Sequence, residues 1–141
     1  MTQTGHRRRP HAVLDLPSRE LKAKKIERLL RLSERPQPVR LLEIGAGSGG
    51  VAHYFGTHPD LQCSVTAVDV CDNRVVRDAY EYLEVTDVEL PFGSDSFDVV
   101  ISNHVIEHVG DTHAQRKHLA EIHRPSSAAC RERSEWHVGW S

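Results

Sequence analysis

Residues 41–50 read Leu-Leu-Glu-Ile-Gly-Ala-Gly-Ser-Gly-Gly, and they give the clearest indication of the fold. The apolar run from Val39 to Ile44 stops at a glycine, which is typical of a buried strand. Glycines at a turn between a strand and a helix allow positive φ and let a ligand approach the backbone closely. The helix expected from Val51 to Gly56 would present free amides to an anionic group. Taken alone, the pattern leaves open an ordinary glycine-rich turn.

Strands and helices alternate on both sides of this turn. Three further strands are predicted, at Ser64–Val68 with Asp69 at its end, at Tyr80–Val85 and at Phe97–Ser102. Alternation of this kind predicts parallel βαβ units and an open, mainly parallel α/β sheet with flanking helices.

Two longer helices are predicted at the ends of this region. The first should begin with Ser18 as its N-cap and end at Pro36-Gln37-Pro38. The last should be capped by Asp111 and run through His123. The residues expected to face the core are Leu21, Ile26, Leu29, Leu30 and Leu32 in the first helix and Leu119 and Ile122 in the last.

Composition indicates one soluble globular domain, since the chain has 141 residues, of which 38% are hydrophobic and 27% charged. The formal net charge of -2 gives no general attraction to nucleic acid or an anionic membrane. No apolar run approaches the roughly 20 residues of a membrane helix. The 3 cysteines form no even framework, so reduced thiols and a cytoplasmic location are expected. Residues 1–17 are expected to be a flexible tail, 18–124 the folded domain and 125–141 an irregular tail.

Acidic residues follow the second and third predicted strands. Asp69 stands 19 positions after Gly50, where a carboxylate can accept hydrogen bonds from both ribose hydroxyls of an adenosine group. Asp87 could accept a hydrogen bond from an adenine amino group, and the amide of Val88 could serve a ring nitrogen. A surface turn acid at Asp69 and a loop acid or helix cap at Asp87 are the alternatives.

The glycine turn, Asp69, Leu90-Pro91-Phe92 and residues 96–103 together resemble the class I S-adenosylmethionine-dependent methyltransferases. Residues 96–103 read Ser-Phe-Asp-Val-Val-Ile-Ser-Asn, and the likeness is greatest to the small-molecule branch known as the methyltransferase type 11 domain. It covers about residues 39–124, and the order and spacing of the motifs are more diagnostic than any one of them. The resemblance implies a Rossmann-like fold, S-adenosylmethionine as cofactor and methyl transfer to a small-molecule acceptor.

The resemblance also implies which residues hold the cofactor. Glu43, Gly45 and Gly47 would surround the methionine part, and Asp69 would hold the ribose. The adenine would lie at Asp87 and Val88, and Asn103 would lie near the reactive methyl. The cofactor-binding set is Glu43, Gly45, Ala46, Gly47, Asp69, Val70, Asp87, Val88 and Asn103.

An NAD-dependent oxidoreductase is the main alternative. Gly45, Gly47 and Gly50 also satisfy the GxGxxG pattern of NAD-binding domains, and Asp69 would suit the ribose of NAD equally well. The segments Leu90-Pro91-Phe92 and 96–103 are typical of methyltransferases, and they favour a methyltransferase.

His104, Glu107 and His108 follow the fourth strand, where the acceptor should lie. The two histidines are four residues apart and would share a face of a helical turn. One of them could be a general base, or all three could hold a divalent metal. The cluster is similar to the metal site of ubiquinone-pathway O-methyltransferases, except that His104 stands where a carboxylate is expected. A structural role is favoured, so no metal is expected and no catalytic residue is assigned.

The chain departs from this family after Arg124. A motif of the type RPGG and a fifth strand are expected there, but Arg124-Pro125 is followed by two serines and polar sequence. We therefore expect a C-terminally truncated domain of about four strands, with the first and fourth adjacent and Phe97–Ser102 as an exposed apolar edge. Low stability and weak or absent turnover would follow, so a non-catalytic cofactor-binding remnant is a further alternative.

Overall fold

The computed structural model describes residues 16–86, 89–102 and 110–125. Its helices are α1 (Leu16–Leu30), α2 (Gly50–Gly56) and α3 (Thr112–His123), and a short 3-10 turn spans Leu32–Glu34. Its strands are β1 (Val39–Ile44), β2 (Cys63–Asp69), β3 (Glu81–Glu84) and β4 (Val99–Ser102). The predicted alternation of strands and helices is confirmed, with strand ends shifted by one or two residues.

The four strands form one parallel sheet in the order β3-β2-β1-β4. In the central strand β1, Leu41 lies opposite Val65 of β2 and Val99 of β4. Both the predicted parallel α/β sheet and the adjacency of the first and fourth strands are confirmed. The carboxyl ends of parallel strands meet at one edge of a sheet, so the glycine turn after β1 and Asp69 of β2 lie side by side.

Apolar residues cover both faces of the sheet. On one face, Leu41 packs in a cluster with Phe55 of α2 and Leu30 of α1. On the other, Leu42 packs in a cluster with Ile122 of α3. Successive side chains of a strand point to opposite faces, and this double burial explains why β1 reads as a nearly continuous apolar run.

The buried face of α1 differs from the expected one. Ala23 and Leu30 are buried and Ile26 is partly buried, whereas Leu21 is 68% and Leu29 45% exposed. The prediction that Leu21 and Leu29 face the core was therefore wrong. Ala23 and Leu30 are seven residues apart, two helical turns along the same side, and this side of the helix packs against the domain.

The ends of α1 also differ from prediction. The helix begins at Leu16, so Ser18 lies in its first turn and is not the N-cap. It ends at Leu30, before the prolines, because Arg31 takes the left-handed conformation with φ 48°. The 3-10 turn Leu32–Glu34 then leads the chain to β1.

The predicted cap of α3 is confirmed. Asp111 Oδ1 accepts a hydrogen bond from the backbone N–H of Ala114 at 3.0 Å, which satisfies one of the free amides of the first turn. Ile122 is buried as expected, but Leu119 is 37% exposed, so its inward placement was wrong. His118, four residues before Ile122 and on the same side of the helix, is buried instead.

Candidate cofactor-binding site

The backbone after β1 turns sharply and is fastened to the end of β2. Gly45, Gly47 and Gly49 have φ of 85°, 54° and 85°. The N–H groups of Gly45 and Ala46 both donate to the carbonyl of Val68, at 2.9 and 3.1 Å. The turn therefore holds a fixed position beside the carboxyl end of β2.

Two of these glycines serve different purposes. A Cβ placed on Gly47 would have nothing within 4 Å, so this part of the turn borders open space where a ligand can approach the backbone. A Cβ on Gly49 would overlap the hydroxyl of Tyr80 and the carbonyl of Val76. Gly49 is therefore required by packing, and Gly47 leaves its side of the turn accessible.

Asp69 joins the two strand ends directly. Its Oδ2 accepts from the N–H of Gly47 at 2.9 Å, and its Oδ1 accepts from the N–H of Val70 at 2.8 Å. Each carboxylate oxygen has two lone pairs, so both keep capacity to accept from a ligand. The carboxylate is thus held by backbone donors in a position that also borders the accessible part of the turn.

Glu43 lies on β1 beneath the turn and is 2% exposed. Burial raises the pKa of its carboxyl to about 8, although the charge of Arg19 and the N–H of Ala52 act in the opposite direction. Among the described residues, its Oε2 has no hydrogen-bond partner. Glu43 therefore holds a proton at neutral pH and keeps an unused polar atom at the turn.

The segment after β2, residues 70–80, is hydrogen-bonded to the glycine turn. The N–H groups of Val75 and Val76 donate to the carbonyl of Ser48, at 2.8 and 3.0 Å. The Ser48 hydroxyl is buried and has no hydrogen-bond partner among the described residues. Residues 70–80 show no periodic pattern, so this contact with Ser48 could not be predicted from local sequence.

Ion pairs between charged side chains stabilise the same segment. Asp72 receives two hydrogen bonds from the guanidinium of Arg74, at 2.9 and 3.0 Å, and another from Arg77. The Arg74 bonds hold the pKa of the Asp72 carboxyl well below its ordinary value. The same guanidinium lies 3.7 Å from the ring centre of Tyr82 on β3, an arrangement that favours attraction between cation and ring.

The structure brings together most of the predicted cofactor-binding residues. Glu43, Gly45, Ala46, Gly47, Asp69 and Val70 all lie at the carboxyl ends of β1 and β2. The Val70 side chain is 71% exposed there. The remaining predicted residues lie outside the described ranges: Asp87, Val88, Asn103, His104, Glu107 and His108. Within residues 16–86, 89–102 and 110–125, no three His, Cys, Asp or Glu side chains are grouped to hold a metal ion.

A separate cleft of about 490 Å³ lies between the start of α1 and the outer side of α2. Its lining includes Leu16, Glu20, His53 and Gly50. Of the predicted cofactor-binding residues that the structure describes, none lines it. Of the glycine-rich stretch, the lining includes Gly50. The Asp69–Gly47 hydrogen bond and the unpartnered polar atoms of Glu43 and Ser48 lie at the glycine turn, so the turn is the better candidate for a binding site.

The parallel sheet, the glycine turn after β1 and the acidic residue at the end of β2 define a Rossmann-like α/β domain. The family model described as a methyltransferase domain matches residues 17–131 of the chain. The protein therefore belongs to the methyltransferase domain family. No helix in the described part of the chain has the length and apolarity needed to cross a bilayer.

Two named relatives are similar to parts of this chain. The cyclopropane-fatty-acyl-phospholipid synthase of Escherichia coli strain K12 is 31% identical over 74 residues, which are 51% of this chain and 19% of that protein. An O-methyltransferase of Pyrenophora dematioidea is 28% identical over 130 residues, which are 84% of this chain and 46% of that protein. The chain thus spans less than half the length of these curated relatives.

A solved structure shows the same fold. It is the phosphoethanolamine N-methyltransferase 2 of Haemonchus contortus, in complex with phosphomonomethylethanolamine and S-adenosylhomocysteine. The TM-score is 0.58 at 25% identity, and the match covers 78% of this chain and 26% of that chain.

Proposed function

We propose that this chain binds S-adenosylmethionine at the glycine turn and transfers its methyl group to a small-molecule acceptor. The observation that carries the proposal is the hydrogen bond between Asp69 and Gly47, at 2.9 Å, in a chain of the methyltransferase domain family. It joins a carboxylate suited to ribose hydroxyls to the backbone turn that a ligand can approach.

The residues at the turn fit such a cofactor. Glu43 Oε2 and the Ser48 hydroxyl are buried polar atoms without hydrogen-bond partners among the described residues. Atoms of this kind are costly in a core unless something bonds to them. The space beside Gly47 is open. A ligand with amino, carboxylate and hydroxyl groups would satisfy these atoms where an apolar ligand would not.

Each predicted residue has a distinct role in this proposal. Asp69 would accept hydrogen bonds from the ribose hydroxyls. Glu43, Gly45, Ala46 and Gly47 would surround the methionine part. The exposed Val70 side chain would lie against the nucleoside, and Asp87, Val88 and Asn103 would complete the contacts to the adenine and the amino end.

When bound, the cofactor would supply a methyl group on a positively charged sulfur that leaves as a neutral thioether. The residues of the chain would therefore act mainly by orienting the reactants and excluding water. Glu43 carries a proton at neutral pH, so it can both donate and accept a hydrogen bond. No side chain is assigned as a general base, since a base is needed only if the acceptor must lose a proton.

The proposed setting is the cytoplasm, with a small molecule as partner and without nucleic acid. Cys63 and Cys71 are free thiols, which suits a reducing compartment. The formal net charge of -2 offers no general attraction to nucleic acid.

Isothermal titration calorimetry tests the cofactor assignment. S-adenosylhomocysteine should bind, and NAD should give no heat. Asp69→Asn should weaken S-adenosylhomocysteine at least about tenfold, because hydrogen bonds to a charged group contribute about 1.5–3 kcal/mol. Asp60→Asn, an exposed aspartate before β2, is the matched control and should leave the affinity unchanged.

Heat with NAD alone, or equal affinities in the two variants, would contradict the cofactor proposal. A methyl-transfer assay against a panel of small oxygen, nitrogen and carbon nucleophiles then tests turnover. Cofactor binding without transfer to any of them would favour the non-catalytic alternative.

A further inference from the structure

Residues 70–80 form the crossover between the parallel neighbours β2 and β3, and none of these described residues is helical. Parallel strands are usually joined through a helix, whose own hydrogen bonds support its backbone. A segment without that internal support depends on contacts with other parts of the chain to keep one position. Those contacts therefore decide where the crossover lies.

The crossover packs against both ends of α2. A Cβ on Gly49, the residue before the helix, would overlap the Tyr80 hydroxyl and the carbonyl of Val76. A Cβ on Gly56, the last residue of the helix, would overlap the carbonyl of Ala79. Both approaches depend on the absence of a side chain at the glycine. The crossover backbone therefore lies in direct contact with the start of α2, where the glycine turn ends.

Hydrogen bonds also join the crossover to the glycine turn. The N–H groups of Val75 and Val76 donate to the carbonyl of Ser48, at 2.8 and 3.0 Å. Ser48 follows Gly47, whose N–H donates to Asp69. A displaced crossover would therefore displace the Ser48 peptide and the accessible part of the turn beside it.

Arg74 fastens the crossover to two partners of different kinds. Its guanidinium donates to both carboxylate oxygens of Asp72, at 2.9 and 3.0 Å, and lies 3.7 Å from the ring centre of Tyr82 on β3. The Arg74 side chain is 13% exposed. A planar guanidinium can bond to a carboxylate and stack on a ring at once, which a lysine ammonium cannot do in the same way. Arg74 directly precedes Val75, so these contacts act on the part of the crossover that bonds to the turn.

We infer that Arg74 and Tyr82 are positioning residues of the cofactor site, which hold the crossover against the glycine turn and so keep the turn in the shape that receives the cofactor. This inference rests on the proposed function. The two side chains would act through the backbone of residues 75–76 and Ser48. Their loss should weaken contacts to the amino-acid part of the cofactor most, because the turn would hold that part, whereas Asp69 on β2 would hold the ribose.

Calorimetry with two ligands tests this distinction. S-adenosylhomocysteine carries the amino-acid part, and methylthioadenosine has the same nucleoside and sulfur but ends in a methyl group. The wild-type chain should bind S-adenosylhomocysteine more tightly. Arg74→Lys keeps the charge but loses the planar contacts, so it should bind S-adenosylhomocysteine about tenfold more weakly and methylthioadenosine about as wild type does. A general loss of folded protein would weaken both ligands by the same factor.

Tyr82 supplies an independent pair of variants. Tyr82→Leu removes the ring face and should weaken S-adenosylhomocysteine in the same direction as Arg74→Lys. Tyr82→Phe keeps the ring, and the hydroxyl that it removes is buried without a hydrogen-bond partner among the described residues. It should therefore bind both ligands as wild type does. A loss confined to Tyr82→Leu would assign the effect to the stacked ring.

Two control variants separate positioning from charge and from stability. Arg77 also donates to Asp72, at 2.9 Å, but its side chain is 49% exposed, and a lysine can keep this single ion pair. Arg77→Lys should therefore leave both affinities unchanged. Asp98→Asn breaks a pair in which Arg40 donates at 2.8 and 3.2 Å, at the opposite end of the sheet. It should lower the melting temperature while the ratio of the two affinities stays the same.

Amide exchange measures the position of the crossover in the free protein. The N–H groups of Val75 and Val76 should exchange about tenfold faster in Arg74→Lys than in wild type, and at the wild-type rate in Arg77→Lys. An unchanged exchange rate or an unchanged ratio of affinities in Arg74→Lys, or equal binding by Tyr82→Leu and Tyr82→Phe, would overturn the positioning role and leave the proposed function standing. Failure of the wild-type chain to bind S-adenosylhomocysteine would overturn the proposed function and the inference with it.

Discussion

Replacing Glu43 by Gln tests whether a neutral carboxyl lies beneath the glycine turn. Burial raises the pKa of this group from 4.5 to about 8, so the folded protein keeps a proton that the unfolded chain releases between these values. The contribution to stability is complete below the unfolded pKa and is lost as the pH rises through the folded pKa. At about 1.36 kcal/mol per pH unit, the full loss is roughly 5 kcal/mol.

Gln cannot ionise, so the variant should lack this decline. A buried amide adds a donor that costs about 1–3 kcal/mol if it stays unpaired, but that cost does not depend on pH. The difference in free energy of unfolding between variant and wild type should therefore move in favour of Glu43→Gln by several kcal/mol between about pH 5 and pH 8.

Urea denaturation followed by circular dichroism at several pH values in this range measures the difference. Glu81→Gln, which changes an exposed glutamate on the edge strand β3, is the matched control and should follow the wild-type curve. The difference in free energy of unfolding between Glu43→Gln and wild type could instead stay constant within about 0.5 kcal/mol over the range. The pKa of Glu43 would then not be raised by burial, and the reasoning would fail.

Three further predictions concern the glycine turn and α3. Gly49→Ala should lower the free energy of unfolding by about 1–3 kcal/mol, because φ is 85° and the methyl would overlap the Tyr80 hydroxyl. The control is Gly93→Ala, whose methyl would meet only ordinary contacts. In the same urea titration it should change the free energy of unfolding by less than about 0.5 kcal/mol. Equal losses in the two variants would show that position 49 is not strained. Asp111→Ala should cost about 1 kcal/mol in thermal unfolding because α3 loses its cap; an unchanged transition would contradict the cap. The wild-type chain should release protons on binding S-adenosylmethionine near neutral pH, because a cationic ligand favours ionised Glu43. Calorimetry in buffers of different ionisation enthalpy should find this release absent in Glu43→Gln.

Local sequence was sufficient for the centre of the fold. The apolar run from Val39 to Ile44 and the glycines after it predict a buried strand and a turn, because both depend on neighbouring residues only. The position of Asp69 at the end of β2 followed from the same periodicity. The structure adds what the spacing could not give, namely that the Asp69 carboxylate bonds to the backbone of Gly47.

Predictions about helix faces failed where tertiary contacts decide burial. Leu21 and Leu29 are larger and more apolar than Ala23, yet Ala23 is fully buried and the two leucines are exposed. A pattern of apolar residues shows which sides of a helix could be buried, but the position of the neighbouring helix determines which side is. In α1 that neighbour is α2, which packs against the side that carries Ala23 and Leu30.

The long-range contacts of the site were also beyond local reasoning. Ser48 bonds to Val75 and Val76, and Arg124 bonds to Leu90. These partners lie far apart in sequence, and no local pattern connects them. The motif Leu90-Pro91-Phe92 is part of the family resemblance. Its hydrogen bond to Arg124 at the end of α3 is visible only in the structure.

Unpartnered buried atoms give independent support for a binding site at the turn. Within the described residues, four such side-chain atoms exist, and two of them, Glu43 Oε2 and the Ser48 hydroxyl, belong to residues of the glycine-rich stretch. An apolar side chain at position 43 would avoid both the desolvation cost and the loss of stability at higher pH. The same stretch also holds three residues with positive φ. Unpartnered polar atoms and unusual backbone angles both reduce stability. Their occurrence together in one small region is typical of functional sites, where a ligand supplies the missing hydrogen-bond partners. A purely structural turn would give no reason to keep a protonated glutamate there.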